Sequence, residues 1–157
     1  MKRKLQHLVA YITLFTLLVA TFFGVSGTRN FQNAQALSNG LALTPPMGWN
    51  SWNNFGCNVS DTLIRGMVDA MVSQGMLAAG YTYVNIDDCW QNVSRTNGHV
   101  TTTSNFPNGI KAVADYAHSK GMKLGVYSDH GTATCQGKAG SYGYETTDAN
   151  DYAAWGV

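Results

Sequence analysis

The chain has 157 residues, 45% of them hydrophobic and only 12% charged, with a formal net charge of +1. That length and apolar content suffice for one domain with a real core. The near-neutral balance excludes a nucleic-acid partner, because no basic patch is available to neutralise phosphates.

The first element is a leader. Lys2, Arg3 and Lys4 make a basic start, Leu8 to Val25 is almost continuously apolar, and Ala34-Gln35-Ala36 supplies an A-x-A cleavage pattern after the small pair Ser26-Gly27. These are the three regions of a secretory signal peptide. The alternative is an uncleaved anchor, since the apolar run is longer than most signal cores. The cleavage pattern decides for a signal peptide over 1–36 and a secreted, extracellular protein. Membrane contact is then expected only through the leader, and 37–157 form the domain.

Export gives meaning to the cysteines, Cys57, Cys89 and Cys135. Disulfides persist outside the cell, and an odd count leaves one thiol over. Either one cysteine is free or its partner lies outside this sequence.

Beyond the leader a strand-helix rhythm begins. Met47 to Trp52 is a short candidate strand entering an Asn/Gly-containing loop. Ser60 has the character of an N-cap, with Asp61 in the first turn. Ile64, Met67, Val68, Met71 and Val72 then recur on one helical face, and the helix is expected to stop at Gly80. Thr82 to Asp87 follows as a strand. After a polar loop, Pro107 precedes a second helix lined by Ile110, Val113, Ala114 and Ala117 and closed at Gly121. Lys123 to Tyr127 is the third strand, and a weaker helical stretch covers 147–155.

The joints repeat at Ala79-Gly80, Lys120-Gly121 and Trp155-Gly156. Alternating β and α units imply a parallel sheet, hence an α/β fold. Three such units cannot close a (β/α)8 barrel, which takes ~250 residues. As a separate sheet they would leave both edges open. The chain therefore reads as the first part of a longer protein.

The chemistry gathers at Ile86-Asp87-Asp88-Cys89-Trp90, where the second strand closes. Carboxylates are costly to bury unless paired or hydrogen-bonded, and ligands of parallel α/β folds bind at the carboxyl ends of strands. Neighbouring strand residues point to opposite faces, so Asp87 and Asp88 are badly placed as a glycosidase dyad. Retaining enzymes hold their two carboxyl groups about 5 Å apart across the scissile bond. Accepting hydrogen bonds from vicinal hydroxyls suits the pair better. The bland alternative is two solvated loop acids.

Trp49 and Trp52 are either core residues or, at a strand end, a platform for the apolar face of a sugar ring. Cys57 and Cys89 both follow predicted strand ends, where a disulfide could tie two loops. Metal binding by the cysteines is the weaker alternative, since no histidine stands at ligand spacing to them. Asp129 and His130 follow the third strand and admit acid-base chemistry, although a loop histidine is more often solvated or structural. Asn58-Val59-Ser60 and Asn92-Val93-Ser94 fit the N-glycosylation pattern, and no Gly-rich phosphate loop is present. No cofactor is expected.

Several ordered motifs resemble the alpha-galactosidase (melibiase) family of glycoside hydrolases. They are Leu43-Thr44-Pro45-Pro46-Met47-Gly48-Trp49-Asn50-Ser51-Trp52-Asn53, Asn85-Ile86-Asp87-Asp88-Cys89-Trp90 and Phe106-Pro107-Asn108-Gly109-Ile110. Lys123-Leu124-Gly125-Val126-Tyr127-Ser128-Asp129 and Ala154-Trp155-Gly156-Val157 complete the set.

The resemblance covers about residue 41 to the end. It implies the amino-terminal part, about three βα units, of a (β/α)8 TIM-type barrel that hydrolyses terminal α-linked galactose with retention. It also implies that Asp87 and Asp88 hydrogen-bond galactose hydroxyls, that Trp52 packs on the sugar, and that Tyr127 and Cys135 line the pocket. Cys57 and Cys89 would be paired, and Cys135 would pair with a cysteine after the fourth strand.

The family's nucleophile and acid/base, both Asp, would lie beyond Val157, leaving this chain inactive alone. Alternatives are a non-catalytic galactose-binding protein, or a relative acting on α-N-acetylgalactosaminides or β-L-arabinopyranosides.

Overall fold

A computed structural model describes residues 43–157, and the expected signal peptide lies outside them. Three strands, β1 (Gly48–Asn50), β2 (Tyr83–Ile86) and β3 (Lys123–Val126), pair in parallel in the order β1-β2-β3. Trp49 lies beside Val84, and Val84 beside Leu124. The helices are α1 (Trp52–Phe55), α2 (Asp61–Ser73), α3 (Gly109–Ser119) and α4 (Glu145–Trp155).

The apolar periodicity has a direct physical outcome. Ile64, Val68 and Met71 of α2 are buried, and so are Ile110, Val113, Ala114 and Ala117 of α3. With Val84, Ile86 and Leu124 of the sheet they form one core. Ser60 caps α2 as its spacing predicts, its Oγ accepting from the Leu63 N–H at 3.2 Å. Gly48 admits no side chain, because a Cβ there would collide with the Tyr83 backbone.

Two boundaries differ from expectation. The strand expected over Met47 to Trp52 ends at Asn50, and Trp52 opens the four-residue helix α1 at the start of the expected loop. Helix α2 stops at Ser73, not at Gly80, because Gly75 takes φ +77°. The Gly75 N–H then donates to Val72 O and the Met76 N–H to Met71 O, the paired bonds of a Schellman cap. Gly80 ends a further turn instead, in which it donates to Leu77 O and Tyr81 to Met76 O. The same two-bond pattern recurs at Gly121-Met122 and Gly156-Val157. No helix among the described residues is long and apolar enough to cross a membrane.

Candidate functional site

The loops after the three strands meet at the carboxyl end of the sheet, and their junction is polar. Asn50, the last residue of β1, works with both ends of its amide. Its Oδ1 accepts from the Trp52 backbone N–H at 2.8 Å, and its Nδ2 donates to Asp87 Oδ2 at 2.9 Å. Buried Ser51 accepts from the Asp87 backbone N–H at 3.0 Å. The β1 end therefore ties both the backbone of Trp52, which is left 37% exposed, and the carboxylate of Asp87.

The two adjacent acids, both just past the end of β2, part company. Asp87 is half-buried and turned to the β1 side, with Oδ1 accepting from the Asp88 N–H at 2.8 Å. Two of its roughly four lone-pair positions stay unclaimed by the chain. Asp88 is 2% exposed and turned to the β3 side. Its Oδ1 accepts from Cys89 N–H at 2.7 Å and Thr134 Oγ1 at 2.9 Å, and its Oδ2 from Gln136 N–H at 3.0 Å. One acceptor position of about four is left to it.

The rest of the acidic run is structural. Cys89 bonds to Cys57 across 32 residues of chain, with the Cα atoms 5.1 Å apart, so the disulfide ties the loops after β1 and β2. Trp90 is fully buried in the core. Its Nε1 donates to Tyr127 O at 2.9 Å, and its ring meets those of Tyr152 and Trp155 edge-on at 6.3 and 6.1 Å. The tryptophan thus joins the ends of β2 and β3 to α4. Trp49 is half-buried against Phe55, with ring centroids 6.0 Å apart.

After β3, Tyr127 points its hydroxyl toward Cys135 Sγ at 3.7 Å and Asp129 Oδ2 at 3.5 Å. The bond to Cys135 and partial burial push the phenol up to about 12, helped by the nearby thiol and carboxylates. Cys135 is exposed and free. It sits at the tip of a tight hairpin closed by the Ala133–Ala139 bridge and by Thr134 N–H to Lys138 O at 2.9 Å.

Asp129 and His130 do not form an acid-base pair. Asp129 Oδ1 accepts from Gly131 N–H at 2.6 Å, which shapes the turn, and His130 meets Tyr142 edge-on at 6.5 Å. Among the described residues no group of three His, Cys, Asp or Glu could hold a metal ion.

Farther out, Arg95 straps the rim. Its guanidinium bonds both oxygens of buried Asp148 at 2.6 Å, donates to Gly98 O and Gly140 O, and lies 4.2 Å from the Tyr144 ring. Burial is the strongest single influence and would raise the Asp148 carboxyl, but bonding to Arg95 and Ser141 together with the Arg95 charge outweighs it and holds the group below the usual carboxylate range. Asn92 bonds Thr101 Oγ1 and Thr102 O through Nδ2, so its amide is committed to the loop hairpin.

Sequence reasoning missed Asn50, Ser51, Thr134 and Arg95. Asn50 and Ser51 carried a readable signal, since a polar pair between two tryptophans at a strand end has no packing value. Thr134 and Arg95 carried none, for their partners lie 46 and 53 residues away.

A parallel sheet backed by helices, with its polar groups at the carboxyl ends of the strands, is a part of a (β/α)8 TIM-type barrel. Comparison with known proteins gives the particular family. A family profile described as Alpha galactosidase A matches residues 44–157, and the chain belongs to that family.

The chain is 56% identical over 134 residues to the alpha-galactosidase of Coffea arabica, covering 83% of itself and 35% of that protein. Alpha-galactosidase I of Mortierella vinacea superposes with a TM-score of 0.74 at 48% identity, covering 76% of this chain and 31% of the other. The alpha-galactosidase of Saccharomyces cerevisiae, in a structure with raffinose, gives 0.73 at 41%, covering 76% and 26%. The chain thus spans about a third of the length of the curated relatives it matches.

Proposed function

We propose that this chain supplies the sugar-gripping part of a retaining alpha-galactosidase site that acts on terminal, non-reducing α-D-galactose. The observation that carries the reading is the double-ended Asn50, which ties the backbone of the exposed Trp52 and the half-free Asp87 carboxylate to one strand end. An exposed aromatic and an acceptor carboxylate held at one strand end suit a sugar ring's apolar face and vicinal hydroxyls. Asp87 takes hydroxyls through its two unclaimed positions and Asp88 through its remaining one, while Tyr127 and Cys135 line the opposite wall.

Neither acid is a nucleophile here, because adjacent residues do not flank one bond from two sides. The nucleophile and the acid/base are Asp residues outside the 157, and the chain alone has no turnover. Export fits the Cys57–Cys89 bond, which is at home in an oxidising compartment.

The test has two arms. Expressed alone, the chain should not release a chromogenic aglycone from an α-galactoside above a vector control. In a whole enzyme carrying this segment, Asp87→Asn should lower kcat/KM by at least about a hundredfold, since a charged acceptor to the sugar is lost. Unchanged kcat/KM would remove Asp87 from the site.

A further inference from the structure

Asn50 closes β1 and Asp87 follows β2, 37 residues further along the chain. The Asp87 carboxylate accepts two bonds from the chain. One comes from the next backbone N–H, that of Asp88, and is local to the acid. The other comes from Asn50 Nδ2, and it alone sets the carboxylate's direction relative to a second strand. The amide cannot be turned over without loss. Its other end meets the Trp52 backbone N–H, which needs an oxygen there, so the end facing Asp87 is the NH2. Ser51 locks the two strand ends together, its N–H donating to Asn85 O at 3.2 Å and its Oγ accepting from the Asp87 N–H.

We infer that Asn50 is a positioning residue of the sugar site, which aims the Asp87 carboxylate from β1 while the site is empty. The inference rests on the galactosidase reading for what the carboxylate grips, and not for the bond itself. An amide offers a donor and an acceptor on one short planar group, as this place requires. A carboxylate of the same shape would serve Trp52 but repel Asp87, unless a proton sat between the two acids. An acid aimed beforehand gives up little freedom when it takes sugar hydroxyls.

The test uses a whole enzyme carrying this segment and the isosteric variant Asn50→Asp. The variant keeps an acceptor for the Trp52 N–H and changes only the group that faces Asp87. Two carboxyls in one site raise the pKa of one of them. At about pH 4, in the ordinary carboxyl range, the pair shares a proton that restores the donation, and at about pH 7 both acids are charged. A carboxyl raised on folding loses its contribution as pH rises. The Tm deficit against wild type should therefore be small at the acid pH and open by a few degrees at the neutral one. The variant's kcat/KM should stay within about threefold of wild type at the acid pH. At the neutral pH it should fall about tenfold or more, chiefly through KM. Asn50→Ala, which offers neither end, should lose activity alike at both. Asp88, Tyr127, Asp129 and His130 follow β2 and β3 and are common to all three proteins, and α1 carries no charge. Their titration cancels in each ratio.

A Tm deficit equal at both pH values would overturn the bond, with no sugar involved. A deficit that opens with pH while kcat/KM keeps pace with wild type would overturn the positioning role. If Asn50→Asp folds at neither pH, Asn50→Ala decides. Its loss in kcat/KM should vanish where Asp87 is already Asn, and additive losses would sink the proposal. A wild-type enzyme without turnover of an α-galactoside would overturn the galactosidase reading instead, and the Tm pair would still judge the bond.

Discussion

The two sides of this sheet are held by different forces. Behind it, α2 and α3 lie against the strands through Ile64, Val68, Ile110 and Val113, all buried and apolar. At its carboxyl end, the loops are held by Asp88, Arg95, Asp148, Asn50 and a disulfide. Apolar contact is non-directional and tolerates repacking. Charged hydrogen bonds fix angles as well as distances, and a ligand site needs fixed angles. The difference should appear in how each side fails.

The largest effect is expected at the rim. Arg95→Met leaves Asp148 buried without its partner and should cost about 3–5 kcal/mol in urea unfolding of the chain. Combining it with Asp148→Leu should recover most of that loss, because the stranded charge goes too. No recovery would mean that Arg95 acts through its bonds to Gly98 and Gly140.

Behind the sheet, Ile110→Ala should cost about 2–5 kcal/mol from cavity formation. Here no second substitution of charge can restore it. An Ile110→Ala cost below 1 kcal/mol would show that the rim, and not the core, dominates stability.

A third effect separates the two sides by pH. Since the Asp148 carboxyl is held below its ordinary value of 3.8, its contribution is present above that pH and is lost as pH falls toward its folded value. The acid limb of a Tm-against-pH curve should flatten in Asp148→Asn but keep its wild-type slope in Ile110→Ala. The smallest effect is at Ser60→Ala, which removes the α2 cap and should cost about 1 kcal/mol at every pH above 4.

The same division governs what the sequence discloses. The helices α2 and α3 were legible because burial at i, i+3 and i+4 leaves a periodic trace, and the Ser60 cap lies within three residues of its partner. The end of α2 was misplaced since both Gly75 and Gly80 are competent stops, and only the paired bonds to Val72 and Met71 show which acts first.

The acidic run reads as a site because ionised groups are poor packing material, and that argument holds for Asp87 in that two of its acceptor positions stay unclaimed by the chain. For Trp90 it does not, since its indole N–H found Tyr127 O, 37 residues away. Nothing in the run itself distinguishes an acid that faces a ligand from one that clamps a loop. The distinction lies in Thr134 and Gln136, which belong to another unit.

The helix-to-strand joints at Gly80 and Gly121, and the matching turn at Gly156 after α4, are each closed by two backbone bonds spanning no more than five residues. A βα unit therefore carries its own stop and needs nothing from its neighbours to make the turn back to the sheet. Such a unit is a natural coin of gene duplication: a copy inserted beside its parent arrives with its corner already formed. What it must then acquire is the long-range side-chain wiring at the rim, and this is where repeated units of one barrel are free to differ.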